Sequence, residues 1–408
     1  MRLSSPLILS ALTAAANGLA LPRADGISTT DFDAVVVGGG PAGLSALSGL
    51  ARVRRKVLLI DSGEYRNGPT RHMHDVIGFD GVTPAYFRWA ARRQLAHYNT
   101  VRMINGTVTK ITPDTTNADY PPTRFVVSTL NPSSNATTTV TARKIVLATG
   151  LRDILPSTPG VRENWGQGIF WCPWCDGHEH ADQALGLLGS LDNVPAAVRE
   201  MVTLNSDVVA LVNGTDTAEY RALTDAKMPG WERYLAIHDV AVDNRTIRAI
   251  VRLRSGADLA GEDDPSLPTA AEHDLFRVDF TEGEPITRAA FLAAFPSEQM
   301  SDVGEKMGVQ LWGGRLAVDP TAGLITNVPG VYAVGDANSD NTTNVPHAMF
   351  SAKRAAVFLH VSLAREDGGK ELNGTDVSKR DLEHEARSLW DTVNGKPGDL
   401  LYAGEFDQ

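Results

Sequence analysis

The run from Asp33 to Asp61 constrains this chain more than any other feature. Asp33-Ala-Val-Val-Val is an apolar, β-branched run that leads straight into Gly38-Gly39-Gly40-Pro41-Ala42-Gly43. Residues 42–54 fit a helix, and Lys56-Val-Leu-Leu-Ile60 is a second buried strand closed by Asp61. Strand, glycine turn, helix, strand and acid form a βαβ unit of a parallel, doubly wound sheet. Gly-x-Gly-x-x-Gly alone is a weak signal. Here it follows a strand, opens a helix and has an acid 18 residues past its last glycine, which points to a bound dinucleotide. Gly38 permits the tight turn, Gly40 lets the backbone approach a pyrophosphate, and Gly43 lets helix and strand pack closely. The helix N-terminus offers free N–H groups to the phosphates. Asp61 stands where it can accept hydrogen bonds from a ribose.

A chain of 408 residues exceeds one average domain, so two α/β domains are expected. Lys144-Ile-Val-Leu-Ala148-Thr149-Gly150 reads as another parallel strand, and Asn105–Val140 as a small antiparallel sheet with a long hairpin. Pro156 and Pro159 mark a boundary. A second α/β region follows, with Ala184–Leu188 and Val208–Val212 as strands and Asp258–Pro268 as an acidic loop. Strand character returns at Gly330–Val334, followed by a helix over His347–Ala364. The expected layout is a nucleotide-binding domain split between 32–158 and 308–365, an inserted domain at 159–307, and a polar extension at 366–408. A helix around Asp381–Asn394 is expected in that extension.

The N-terminus has the form of a secretory leader over residues 1–20: Arg2, the apolar run Pro6–Ala16, then the small-x-small site Gly18-Leu19-Ala20. Residues 21–31 form a lead-in. The run is too short to span a bilayer, which takes about 20 apolar residues. Six N-x-S/T sequons, at Asn105, Asn135, Asn213, Asn244, Asn341 and Asn373, suit an exported glycoprotein. A net charge of −11 argues against nucleic acid and anionic membranes as partners.

Against that export signal, cysteine usage is unusual. The chain has two cysteines, both in Trp171-Cys172-Pro173-Trp174-Cys175. A bridge closing so short a loop removes little entropy from the unfolded chain and is a poor staple. C-x-x-C is instead the spacing of redox dithiols, in which one sulfur attacks and its neighbour resolves. Cys172, Cys175, His178 and His180 also spell a Cys₂His₂ set, but zinc fingers separate the two pairs by about a dozen residues. No metal is expected. His178 and His180 read either as surface residues or as groups that hold a substrate thiol as thiolate. Trp165, Phe170, Trp171 and Trp174 crowd the motif, as packing for a domain junction or as an apolar entrance.

The chain resembles the low-molecular-weight thioredoxin reductases, two-domain flavoproteins. The resemblance rests on Gly38–Gly43, Ala148-Thr149-Gly150, Cys172–Cys175 and Gly330-Val-Tyr-Ala-Val-Gly335-Asp336, and covers roughly residues 32–365. It implies FAD as cofactor, Cys175 as the sulfur facing the flavin, Cys172 as the interchange sulfur and Asp176 as the proton-handling acid. Asp336 inherits the ribityl chain, and His347-Ala348 the place under the isoalloxazine. Gln is usual in the family where His347 stands here. Pro41, Ala42, Ser62, Arg66, Asn67, His72, Val108, Ala148 and Gly150 complete the implied cofactor contacts.

Arg66-Asn67, Arg71-His72-Met73-His74, Gly78-Phe79-Asp80-Gly81 and Gly177-His178-Glu179 are similar to one subgroup. It comprises secreted FAD-dependent sulfhydryl (glutathione) oxidases and fungal dithiol oxidases of epidithio toxins. The family resemblance also implies a homodimer.

A reductase of this family needs a second nucleotide turn for NADPH. The corresponding stretch is Leu188-Gly189-Ser190-Leu191-Asp192-Asn193-Val194, in which Gly189 alone of the glycines survives. Leu191 is expected to obstruct the pyrophosphate. Asn213–Glu219, where the family carries arginines for the 2′-phosphate, has none and has two acids. The reading is therefore a thiol oxidase passing electrons from small thiols, by resemblance glutathione, through Cys172–Cys175 and FAD to oxygen. An epidithio-type dithiol oxidase and an NADPH-dependent disulfide reductase are the alternatives.

Overall fold

The computed structural model describes residues 31–114, 124–257 and 269–372. The leader, the lead-in up to residue 30, Asp258–Pro268, the helix expected at Asp381–Asn394 and the Asn373 sequon lie outside the described residues.

Two parallel sheets organise the chain. In the first, Val331–Ala333, Thr137–Leu147, Phe32–Val37, Val57–Asp61 and Val101–Asn105 run side by side and parallel, in that order. Phe32–Val37, Val57–Asp61 and the second half of Thr137–Leu147 are mostly apolar and buried because both faces are covered there, as parallel sheets require. Helix Pro41–Ala51 packs on one face against the C-terminal helix Val345–Leu372, so its small residues are buried nearly all round. Thr107–Pro113 and Phe125–Leu130 branch off antiparallel beside Thr137–Leu147, which is the expected hairpin sheet.

The second sheet repeats the plan: Ala241–Asp243, Val208–Leu211, Leu185–Leu188, Ala290–Ala293 and Ile169–Phe170, all parallel. A three-stranded antiparallel sheet of Ile247–Arg254, Leu275–Phe280 and Ile286–Arg288 lies beside it. The architecture is the expected pair of doubly wound α/β layers.

Element limits differ from the sequence reading in two places that matter. The strand expected at 144–150 ends at Leu147, so Ala148-Thr149-Gly150 is a turn, with Gly150 at φ +67. The C-terminal helix continues through Leu372 into the segment read as an extension. Polar ties hold that end: Glu366 pairs with Arg143 and with buried Lys144, and Asp367 pairs with Arg55 and Arg143. Periodicity cannot reveal a helix end held by ion pairs rather than by an apolar stripe.

Candidate active site

The glycine turn is closed by contacts that exclude any side chain. Gly38 sits at φ +110, and a Cβ there would lie 2.3 Å from the Ala148 carbonyl oxygen. A Cβ at Gly43 would lie 1.9 Å from the Gly38 carbonyl. The turn therefore stacks tightly on Ala148–Gly150, the matching turn of the neighbouring strand. Gly38, Gly40, Pro41 and Ala42 line one cleft together with Ala148, Gly150, Asp336 and Ala348. Gly43 lies behind the turn. The Thr149 hydroxyl, in the same cleft, is buried without a hydrogen-bond partner, as expected of a group kept for a ligand. Open backbone at a helix N-terminus and an orphaned hydroxyl fit a dinucleotide. Gly43→Ala is expected to lower flavin retention at least about tenfold, read as flavin absorbance per purified chain.

The other implied contacts divide. Arg66, Asn67 and His72 line the cleft. Arg66 donates to both oxygens of Asp153, at 2.7 and 3.0 Å, and to Asp336 Oδ2 at 3.0 Å. Burial pushes the Asp336 carboxyl up, against the pull of Arg66 and Arg315.

Asp61, Ser62, Val108 and His347 do not line the cleft. Buried Asp61 accepts the Gly39 N–H at 3.2 Å, the Gly63 N–H at 3.0 Å and the Tyr65 hydroxyl at 2.5 Å, and pairs with Arg92. With two donors on each oxygen it braces the glycine turn, and Tyr65 presents the wall at this end. Ser62 is exposed, and the Val108 side chain is in the core. His347 turns to Asp340, with Nε2 2.7 Å from the carboxylate, leaving Val345 and Ala348 to face the cleft.

The cysteine motif reaches the same cleft from the second domain. Strand Ile169–Phe170 leads through Trp171 to Cys172, and Pro173–Gly177 forms one wide helical turn. The Cys175 and Asp176 N–H groups donate to the Cys172 carbonyl at 3.1 and 3.2 Å. Cys172 and Cys175 are joined as a disulfide, with Cα atoms 5.2 Å apart. Cys175 and Asp176 line the cleft beside the glycine turn, and Cys172 does not. The disulfide thus presents one sulfur to the cleft and the other away from it.

Burial pushes the Asp176 carboxyl well above the usual carboxylate range, with Glu272 and Glu179 adding to the effect and Arg71 opposing it. A carboxyl raised in this way beside a disulfide is placed to exchange a proton with the sulfur that cleavage frees. Trp165 and Trp171 stack with centroids 4.8 Å apart, and Trp165 and Phe170 are buried, so these three pack the junction. Trp174 is 68% exposed beside the pair.

The two histidines after the motif separate. His178 is exposed and does not reach the cleft, so it takes no part there. His180 is buried, stacks on Phe170 and has Nδ1 3.2 Å from the Glu272 carbonyl; burial lowers its pKa. His180, Glu272 and Asp274 bring ligand atoms within 4.8 Å of one another, a spacing open to a cation. Arg71 already occupies it, paired with both carboxylates. Sequence reasoning missed this crossing of the domain boundary, because Arg71 and Asp274 are 203 residues apart.

At the second nucleotide turn the structure corrects one expectation. Leu191 does not fill the space above the turn: it is fully buried in the core below it, where an apolar side chain is more stable. Its N–H is taken by Thr215 Oγ1 at 3.0 Å. A wide cleft remains, bordered by Gly189, Ser190, Asn193 and Asn213. Lys227 and Arg221 bring cations near this edge, but Lys227 is paired with Asp192, and Arg221 with Asp216 and Glu232. Among the described residues lining the cleft the cations are Arg66 and Arg315, both engaged around Asp336.

Residues 32–190 match the family model described as pyridine nucleotide-disulphide oxidoreductase. A curated relative from Arthroderma benhamiae, named "Probable thioredoxin reductase", is 43% identical over 370 residues, covering 88% of this chain and 87% of that one. "Thioredoxin reductase tcpT" of Claviceps purpurea is 28% identical over 84% of this chain and 98% of its own length. Among solved structures, that of HlmI superposes with a TM-score of 0.67 at 29% identity, covering 84% of this chain and 95% of HlmI.

Proposed function

The chain belongs to the thioredoxin reductase-like pyridine nucleotide-disulphide oxidoreductases, and from that premise we propose that it is an FAD-dependent sulfhydryl oxidase of small thiols. Glutathione is the expected thiol, oxygen the electron acceptor and hydrogen peroxide the second product. The observation that carries this reading is the shared cleft: Cys175 and Asp176 line it together with the nucleotide turn. FAD, when bound there, supplies a two-electron carrier between the dithiol and oxygen. Gly38–Ala42, Ala148–Gly150 and Asp336 hold it. A substrate thiolate attacks Cys172, the sulfur outside the cleft; the Cys172–Cys175 bond breaks, and Cys175 is released as a thiolate on the cofactor side. Attack by a second thiolate on the mixed disulfide frees the oxidised product and leaves Cys172 reduced.

The second nucleotide turn supports thiols rather than NADPH as the electron source. Its N–H at Leu191 is spent on Thr215, and the nearby cations are spent on acids. The names of the relatives and the open second cleft favour the competing reading, an NADPH-dependent disulfide reductase. Oxygen uptake separates the readings. Glutathione and dithiothreitol are expected to drive uptake with stoichiometric peroxide, and NADPH to drive none. Uptake far faster with an intramolecular dithiol than with glutathione assigns the epidithio-type oxidase, and flavin reduction by NADPH assigns the reductase.

Export completes the proposal. Asn135, at the tip of the hairpin between Phe125–Leu130 and Thr137–Leu147, and Asn341 are both exposed, as glycan acceptors must be. No helix among the described residues is long and apolar enough to cross a membrane.

A further inference from the structure

The cleft wall carries an unsatisfied histidine opposite the disulfide domain. His74 is 9% exposed, and its Nδ1 is buried with no hydrogen-bond partner. That nitrogen lies 3.6 Å from Glu179 Oε1 and 3.6 Å from Asp80 Oδ1, just beyond bonding distance of each. The residue before it is fixed: Met73 is buried against Val76 and Phe87 and exchanges backbone hydrogen bonds with the turn at 81–82. The ring is therefore held in place without being bonded, and a buried polar nitrogen in that condition costs stability unless it serves something. Glu179 belongs to the other domain, is 4% exposed and accepts the Thr269 hydroxyl. His74, Asp176 and Cys175 line one cleft.

The reaction creates a need for such a group. Two thiols, RSH, become RSSR while the Cys172–Cys175 bond is cleaved to two thiolates, so two protons appear for each disulfide cleaved; passing the pair of electrons on re-forms the bond, and a bound flavin would take up one of the protons. Asp176 is one place for a proton.

We infer that the His74–Glu179 pair is the second proton site, on the cleft side of the disulfide, taking up a proton given off as thiols reduce the pair. This rests on the oxidoreductase reading above and adds residues to it. His74 faces Asp80 from its own loop and Glu179 from the disulfide domain, with the His72 ring 6.3 Å away. Asp176 faces Glu272, Glu179 and Arg71. The two sites share Glu179, so a proton on one changes the other.

The test is anaerobic mixing of the FAD-loaded protein with dithiothreitol in weak buffer containing a pH indicator. His74→Asn is expected to release about one more proton per flavin reduced than wild type, and to be reduced at least about tenfold more slowly near neutral pH. Its rate profile should shift to higher pH, where solvent takes that proton unaided. Glu179→Gln should move both readouts in the same direction, and it carries the test if His74→Asn loses its flavin. Wild-type proton count and pH profile in both variants, with flavin retained, would overturn the inference and leave the oxidase reading intact. A wild-type protein that dithiothreitol cannot reduce would remove both.

Discussion

Cys172→Ser and Cys175→Ser are each expected to abolish thiol-driven oxygen uptake, by on the order of 10³-fold or more, with bound flavin unchanged. The size follows from the chemistry: a hydroxyl at neutral pH neither forms the mixed disulfide nor leaves as a thiolate. The two variants should fail differently. Cys175→Ser keeps the outer sulfur, so it is expected to accumulate a stable adduct with glutathione, visible by mass spectrometry. Cys172→Ser keeps the sulfur beside the nucleotide turn and should form little adduct, because Cys175 faces the cofactor cleft. Equal labelling of the two variants would contradict the inner and outer assignment.

Arg71→Ala carries the second large effect, on stability. Arg71 is 9% exposed and pairs with Glu272 and with Asp274, which is fully buried. Asp274 keeps Arg252 and the Gly256 N–H, but Glu272 loses its arginine. Breaking one side of a buried pair costs about 3–5 kcal/mol. It should appear as a lower unfolding midpoint in denaturant, with the two domains losing a shared anchor.

The pH dependence gives an independent check. Burial alone would raise Glu272, yet the His72 hydrogen bond and the charges of Arg71 and His180 hold its carboxyl at about 2. A depressed carboxylate stabilises the fold fully above its unfolded value near 4.5, and the contribution disappears as pH falls toward about 2. Unfolding measured across that window should lose on the order of 3 kcal/mol from this group in wild type, and clearly less in Arg71→Ala.

What was legible in the sequence is what short-range rules govern. The glycine turn declares itself because a Cβ at Gly38 or Gly43 would lie within 2.5 Å of a backbone carbonyl oxygen. The C-x-x-C pair declares itself because two sulfurs in one turn must meet. The misreadings concern side chains whose orientation depends on distant partners. Leu191 was expected above its turn and went into the core, and His347 was expected beneath the cofactor and went to Asp340. Asp61 offers the same lesson, because Tyr65 and Arg92 claim a carboxylate that the motif alone leaves free. The acid–histidine ensemble of His74, Glu179, Glu272 and Asp274 had no local signal, since its members come from segments about a hundred or more residues apart.

Rapid mixing of the flavin-loaded protein, without oxygen, with glutathione in one syringe and NADPH in another tests the central claim most directly. Electrons entering through Cys172 and leaving beside the nucleotide turn predict that the yellow colour bleaches with glutathione and persists with NADPH. Bleaching by NADPH with glutathione inert would contradict the account.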